Sequence, residues 1–320
     1  MSNCYSGTFV TKTNGHTICL YTNKCKGVFN KVHGILYDMF KNTEKCIGII
    51  YDDYNTDQNI LNTLKSIHPS MNIFFVAPRR NTVALDDKKL FCERTYNLDF
   101  VPQYIKNIHE SENIDDTELL YIKHRGSSEA LDVRLLPKID ILSCSIDTNY
   151  IIQQNVSNPH LIDNTRYKLR TYVILFNKKM YANKHYRGNL ATKELDISNM
   201  NVDDAKNMNI IHQTSHTKYL LSDNIECNDE IFNDILLSYS KLKKVYISEI
   251  ENIDNNQYVI LGLDYVINND KKAFLIEINH RPNFSFPAVI TNNVDIPVLV
   301  DTYKLLITNT IVDTSFICIE

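Results

Sequence analysis

The sequence predicts a mixed α/β (α+β) protein, and three stretches carry that expectation. Between residues 28 and 76, helical and extended periodicities alternate, the pattern of a small layered lobe. From Arg166 to Phe176, charged, aromatic and β-branched residues form what reads as one long strand. The apolar runs 258–267 and 273–279, separated by Asn268-Asn269-Asp270, read as an antiparallel hairpin.

A chain of 320 residues, 43% of them hydrophobic, suits two or three lobes with a sizeable core rather than a disordered chain. The formal net charge of -4 argues against a general nucleic-acid binder, so no nucleic-acid partner is expected. No signal-like or membrane-length apolar run stands out, and no membrane partner is expected. The eight cysteines include no CxxC pair, which argues against a zinc ribbon and for reduced thiols in a cytoplasmic setting.

Taken in order, residues 1–26 are polar and turn-rich, with an extended patch at His16 to Tyr21, and suggest no chemistry. Val28, Val32, Ile35, Leu36, Met39 and Phe40 recur with a helical period. Cys46 to Tyr51 is a short strand leading to Asp52-Asp53, acids read as capping or solvated. Ile60, Leu61, Leu64 and Ile67 mark a second helix, Asn72 to Val76 another strand, and Pro78-Arg79-Arg80 a stop. Residues 1–80 therefore read as an N-terminal α/β lobe with parallel strands. Residues 81–148 form a central segment that opens with a helix start at Asp86 to Phe91, continues toward Val101, and contains the strand Leu119 to Lys123. Residues 149–320 begin with the strand Tyr150 to Val156 and hold the long strand and the hairpin.

Three groups of polar residues interrupt these apolar patterns. Lys123 ends a strand and is followed by His124-Arg125-Gly126-Ser127-Ser128. A lysine charge and Gly/Ser backbone N–H groups suit a phosphate, although on this stretch alone an ordinary hairpin turn is the preferred reading. Arg166, Lys168 and Arg170 alternate onto one strand face, with Tyr167, Leu169 and Thr171 on the other. Like charges in a row favour an anion such as a polyphosphate or acidic substrate, and the competing reading is a solvated edge strand. In the hairpin, alternation puts Leu275, Glu277 and Asn279 on one face and Phe274, Ile276 and Ile278 on the other, with Asp264 nearly opposite Glu277 and Asn279. Two acids inside an apolar sheet call for a cation, and oxygen-only donors suit Mg²⁺ carrying nucleotide phosphates. Hairpin surface acids are the alternative at this point.

The ordered set YIKHRGSS, IIQQNVSNPHLI, RYKLRTYVILF, LGLDYVI and FLIEINHRPN resembles the ATP-grasp superfamily, and most closely the tubulin-tyrosine ligase-like family, over roughly residues 80–310. The resemblance implies an ATP-grasp fold and an ATP-dependent carboxylate–amine ligase that uses Mg²⁺ and works through an acyl phosphate. It implies that Lys123, with Lys88 or Lys89, contacts nucleotide phosphates, and that Gln153, Gln154, Asn155 and Val156 read the adenine edge, largely through backbone groups. Thr214 and Ser215, in His212-Gln213-Thr214-Ser215, would help hold the nucleotide. Arg170, with Arg166 and Lys168, would act on the transferred phosphoryl group, and Asp264, Glu277 and Asn279 would ligate the metal. The sequence departs from the family pattern at Lys168, where an acid is usual, at Ser215 in place of Asn, and at Ala191 in place of Arg. Those positions lie toward the acceptor, which disfavours tubulin and leaves a peptide, protein or amino acid as the acceptor. An ATP-grasp kinase acting on an anionic small molecule such as an inositol phosphate, and a catalytically degenerate ATP-binding protein, are the alternatives.

Overall fold

Near-continuous apolar runs in the long strands need cover on both faces, and the architecture provides it with helices on either side of one large sheet. The computed structural model describes residues 8–13, 16–22, 27–40, 46–51, 62, 65, 66, 69, 72–126, 133–144, 146–191, 194, 218–284 and 287–320. Strands β1 (Thr8–Thr13) and β2 (His16–Thr22) precede helix α1 (Val28–Phe40), β3 (Cys46–Ile50) and β4 (Asn72–Val76). Helices α2 (Arg79–Asp86) and α3 (Lys88–Thr95) lead to β5 (Tyr104–Ile105), β6 (Leu119–His124), β7 (Val133–Pro137), α4 (Lys138–Leu142) and β8 (Tyr150–Gln154). Five strands follow: β9 (Leu161–Ile162), β10 (Thr165–Phe176), β11 (Lys179–Asn183), β12 (Arg187–Leu190) and β13 (Tyr219–Leu221). The chain ends with α5 (Asn228–Val245), α6 (Ile247–Glu251), β14 (Gln257–Ile267), β15 (Ala273–His280), α7 (Ile296–Thr308) and β16 (Phe316–Ile319).

The large sheet runs β1-β2-β3-β4-β14-β10-β11-β16, with β12 and β9 also on β10, β13 on β12, and β15 on β14. The expected parallel strands are present, since β2 pairs with β3 and β3 with β4 in parallel. They are continuous with the rest of the molecule, because β4 also pairs in parallel with β14. A second, four-stranded sheet has the order β5-β8-β6-β7 and carries its own small core of Ile105, Leu120, Ile122, Ile141 and Ile152.

Several sequence expectations need adjusting. Pro78 ends β4 but is also the N-cap residue of α2, where its fixed φ suits a helix entry, so Pro78-Arg79-Arg80 opens a helix as well as closing a strand. The helix start expected over Asp86 to Phe91 is α3, capped by Asp87 and running Lys88–Thr95. Asp52, Asp53, Ser127, Ser128, Ile60, Leu61, Leu64 and Ile67 lie outside the described residues; within the expected second helix, Asn62, Lys65 and Ser66 are helical.

Two cores lie on opposite faces of the large sheet. Odd-numbered residues of β10 and β14, among them Tyr167, Leu169, Val173, Val259, Leu263 and Tyr265, pack under α5 with Ile231, Ile235 and Tyr239. The helix is amphipathic at helical spacing, with Asp229 and Glu230 in its first turn and Lys243 and Lys244 in its last, each charge favourable to the helix dipole. On the other face, Tyr172, Ile174 and Phe176 of β10 and Tyr258 and Ile260 of β14 pack under α1 and α7 with Val32, Leu36, Val298 and Tyr303. Burying side chains of this size contributes about 1.5–3 kcal/mol each. This second face changes character along the strands. Beyond Tyr172 come Arg170, Lys168 and Arg166, and beyond Ile260 come Gly262 and Asp264, so an apolar core gives way to a charged floor.

Candidate functional site

The charged floor is built by register. Arg170 of β10 lies opposite Asp264 of β14, and Asp264 lies opposite Glu277 of β15. On the far side, Arg170 lies opposite Arg187 of β12, so four charged residues cross four strands in one row. The hairpin departs from simple alternation. Asp264 pairs with Glu277 but Tyr265 pairs with Leu275, which leaves Ile276 as the extra residue of a bulge. Leu275 therefore faces the α5 core with Ile278, while Glu277 and Asn279 face the floor. The expectation that Leu275 shares a face with Glu277 is overturned by that one residue.

Asp264 is fully buried and already surrounded by cations. Arg170 donates from Nε to Oδ1 and from Nη2 to Oδ2 at 2.9 Å, and Lys168 donates from Nζ to Oδ2 at 2.9 Å. Burial alone would raise the carboxyl's pKa, but Arg170 and Lys168 outweigh it and hold the group well below the usual carboxylate range. The anion that the basic strand face calls for is thus an acid of the same chain, and β10 is a central strand rather than a solvated edge. Arg166 is bound separately, donating to Asn155 Oδ1 at 3.0 Å with Tyr121 beside it.

A wall of further cations faces this floor. Lys88, the first residue of α3, lies 3.4 Å from a Glu277 oxygen. Its helix is fixed by Asp87, which accepts from the backbone of Lys89 and Leu90 at 3.0 Å and from Arg125 Nε at 2.5 Å. The corner between α2 and α3 is also tied to β15, where the His280 N–H donates to Asp86 at 3.0 Å. Lys123 on β6 is buried and donates to Gln153 Oε1 at 2.7 Å, and Gln153 in turn donates to the Pro102 carbonyl at 3.2 Å. Burial lowers the Lys123 pKa, as do the charges of Lys88 and Lys168, against the opposing pull of Cys92 and Glu277.

The structure brings together Lys88, Lys123, Gln153, Lys168, Arg170, Asp264 and Glu277, with Asn279 opposite Gly262 in the same hairpin. It directs the Gln154 side chain away, to Glu118 at 3.4 Å, and uses Asn155 to hold Arg166, while Val156 is buried. Thr214 and Ser215, with His212 and Gln213, lie outside the described residues. Two contributors went unread in the sequence. Gly262 is required because a Cβ there would stand 2.9 Å from Arg170 Cδ and 2.9 Å from Pro282 Cβ. Asp295, fully buried near Arg187, Thr291 and Tyr172, has its carboxyl pushed up to about 7 by burial, against the pull of Arg187. The glycine's neighbours are visible only once β10 and β14 are paired, and nothing local marks Asp295.

Among the described residues no group of three or more His, Cys, Asp or Glu assembles for a metal. The available donor set is two carboxylates and an amide, with the Asn279 amide nitrogen donating to the Gly262 carbonyl at 3.4 Å and its oxygen left as an acceptor. Oxygen donors on facing strands fit a hard divalent cation. The surrounding cations, however, suit a metal ion that shares its site with phosphate rather than one held by protein alone.

A large mixed sheet and a smaller one, with lysines and acids converging between them, is the architecture of the ATP-grasp fold. The C-terminal domain of Pby1 from K. lactis, described as an ATP-grasp enzyme interacting with the mRNA decapping enzyme Dcp2, has this fold. It superposes with a TM-score of 0.65 over 95% of this chain and 98% of its own, at 14% identity. The tubulin-tyrosine ligase family model matches residues 53–315, and the chain belongs to that family. Similar curated proteins include a probable beta-tubulin polyglutamylase of Tetrahymena thermophila, 21% identical over 69% of this chain. Tubulin glycylase 3B of the same organism is 23% identical over 50%, and a probable tubulin–tyrosine ligase of Schizosaccharomyces pombe is 22% identical over 42%. The matched regions span 21%, 15% and 36% of those relatives' own lengths. Among the described residues, no helix is long and apolar enough to cross a membrane.

Proposed function

We propose that this protein is an ATP-dependent carboxylate–amine ligase. The observation that carries the reading is the facing pair Asp264 and Glu277 set against Lys88, Lys123, Lys168 and Arg170. That arrangement is suited to a polyphosphate accompanied by a divalent cation, and the chemistry it would serve requires no side-chain nucleophile. In this reading Lys88 and Lys123 bind phosphate oxygens, and the backbone from Gln153 to Val156 lines the base. Asp264, Glu277 and Asn279 would hold Mg²⁺, which neutralises phosphate charge during phosphoryl transfer when bound.

The reaction conserves atoms without a covalent enzyme intermediate. The γ-phosphoryl group passes to a carboxylate oxygen of the acceptor and ADP leaves. An amine then attacks the acyl carbon, phosphate departs, and the nitrogen gives up a proton. Arg170, held by Asp264 and backed by Gly262, is a fixed positive charge beside the transferring group, where preorganised charge is most effective. The acceptor is the carboxylate of a peptide, protein or amino acid. The curated relatives named for tubulin make acidic tubulin-tail peptides one candidate. The kinase alternative relies on a basic face of Arg166, Lys168, Arg170 and Arg187 open to an anionic substrate, and two of those four cations, Lys168 and Arg170, are engaged by Asp264.

The test is ADP release across a matrix of carboxylates and amines that includes glutamate-rich peptides, tubulin-tail peptides and free amino acids. A ligase releases ADP and phosphate only when both partners are present. Stable transfer of labelled phosphate to a product would establish the kinase instead, and ATP-dependent thermal stabilisation without turnover would establish a binding protein.

A further inference from the structure

The contact of Lys168 with Asp264 gives this lysine a role beyond the ligase chemistry. We propose that it is an internal counter-cation of Asp264 that makes divalent-metal binding conditional on a bound polyphosphate. The inference rests on the ATP-binding reading above and concerns the order in which that site fills.

The Asp264 carboxylate accepts three N–H donors, two from Arg170 and one from Lys168, and so offers little to a metal while both cations stay. Around it, four cations, Lys88, Lys123, Lys168 and Arg170, face two carboxylates, Asp264 and Glu277. A bare dication entering that field is repelled, whereas a triphosphate reverses the sign of the field and draws the metal in with it.

The two cations on Asp264 are not equally able to leave. Arg170 makes two bonds to the carboxylate and packs so tightly against Gly262 that a Cβ there would fall 2.9 Å from its Cδ. Lys168 makes one bond at 2.9 Å from the end of a flexible stem, with its side chain 13% exposed. Lys168 is therefore the group that swings to a phosphate oxygen and releases Oδ2 for the metal.

The experiment titrates the protein with Mn²⁺ alone, following the free-ion signal by electron paramagnetic resonance, and repeats it with a non-hydrolysable ATP analogue. The wild type should bind Mn²⁺ weakly alone and strongly with the analogue. Lys168→Met should tighten analogue-free Mn²⁺ binding by about tenfold or more, while Lys168→Arg, which keeps the charge, should stay close to wild type. Analogue-free binding by the wild type as tight as with the analogue would overturn the proposal without need of any variant. So would a folded Lys168→Met that gains nothing while its analogue-dependent binding is intact. Absence of Mn²⁺ binding with the analogue in every form would instead count against the ATP site itself.

Discussion

Asp264 and Glu277 are neighbours across one register position, yet they should respond differently to the loss of charge. Asp264 has no exposure and is the shared partner of Arg170 and Lys168. Asp264→Asn deprives two cations of the carboxylate they share, and breaking a buried ion pair in this way costs about 3–5 kcal/mol. Urea denaturation should show that loss, and a variant within about 1 kcal/mol of wild type would mean the pairing has no structural weight. Glu277 is 28% exposed and meets Lys88 at 3.4 Å. Its replacement by Gln should change stability by less than about 1 kcal/mol and abolish ATP turnover. Retained metal-dependent turnover in Glu277→Gln would remove it from the metal site. The sequence singles out both acids and the cationic face. It does not disclose that Asp264 answers Lys168 and Arg170, because those partners lie 96 and 94 positions apart and meet only through the pairing of β10 with β14.

Within the elements, geometry at the end of the β14–β15 hairpin decides which side chains reach the site. Gly262 leaves the space that Arg170 occupies, and the Pro282 ring closes it from the other side. Gly262→Ala should force Arg170 off its position, costing about 1–3 kcal/mol and lowering turnover more than it lowers nucleotide affinity. Denaturation and steady-state kinetics on the same preparation separate the two effects, and unchanged kcat would show that Arg170 does not act on the reacting group. The bulge at Ile276 has the same kind of control. Deleting Ile276 restores strict alternation and turns either Leu275 or Glu277 to the wrong face, so the variant should lose metal-dependent nucleotide binding, read by calorimetry. Period-two reading of this hairpin finds both strands and the Asp264–Glu277 facing pair but misassigns Leu275. One extra residue changes the face without changing composition, and a sequence shows only composition and spacing.

Across the whole molecule, the apolar patterns that define α1, β3, β4, β10 and the hairpin are local, and they were legible for that reason. The continuity of the N-terminal strands with β14 and the buried charges beyond the site depend on long-range packing. Those buried charges set the response to pH. His33, buried under Tyr303, has its pKa lowered to about 4, and burial also lowers those of His160 and His185. A group with a depressed histidine pKa stays neutral when folded but takes a proton when unfolded, so these three make stability rise with pH up to about 6.5. Asp295 acts in the opposite sense. Its folded pKa is about 7 against an ordinary 3.8, so between those values the folded protein keeps a proton that the unfolded chain releases. Stability therefore falls as pH rises through that window, by about 1.4 kcal/mol per unit, and Asp295 offsets the histidines. Asp295→Asn removes the opposing slope. Its stability relative to wild type should climb by about 3 kcal/mol between pH 4 and 7 and then level off, measured by urea denaturation at unit pH intervals. Parallel curves for the two proteins would mean that Asp295 is already ionised and paired with Arg187 throughout the range. The charged row from Glu277 would then extend, as a fully ionised network, beyond Arg187.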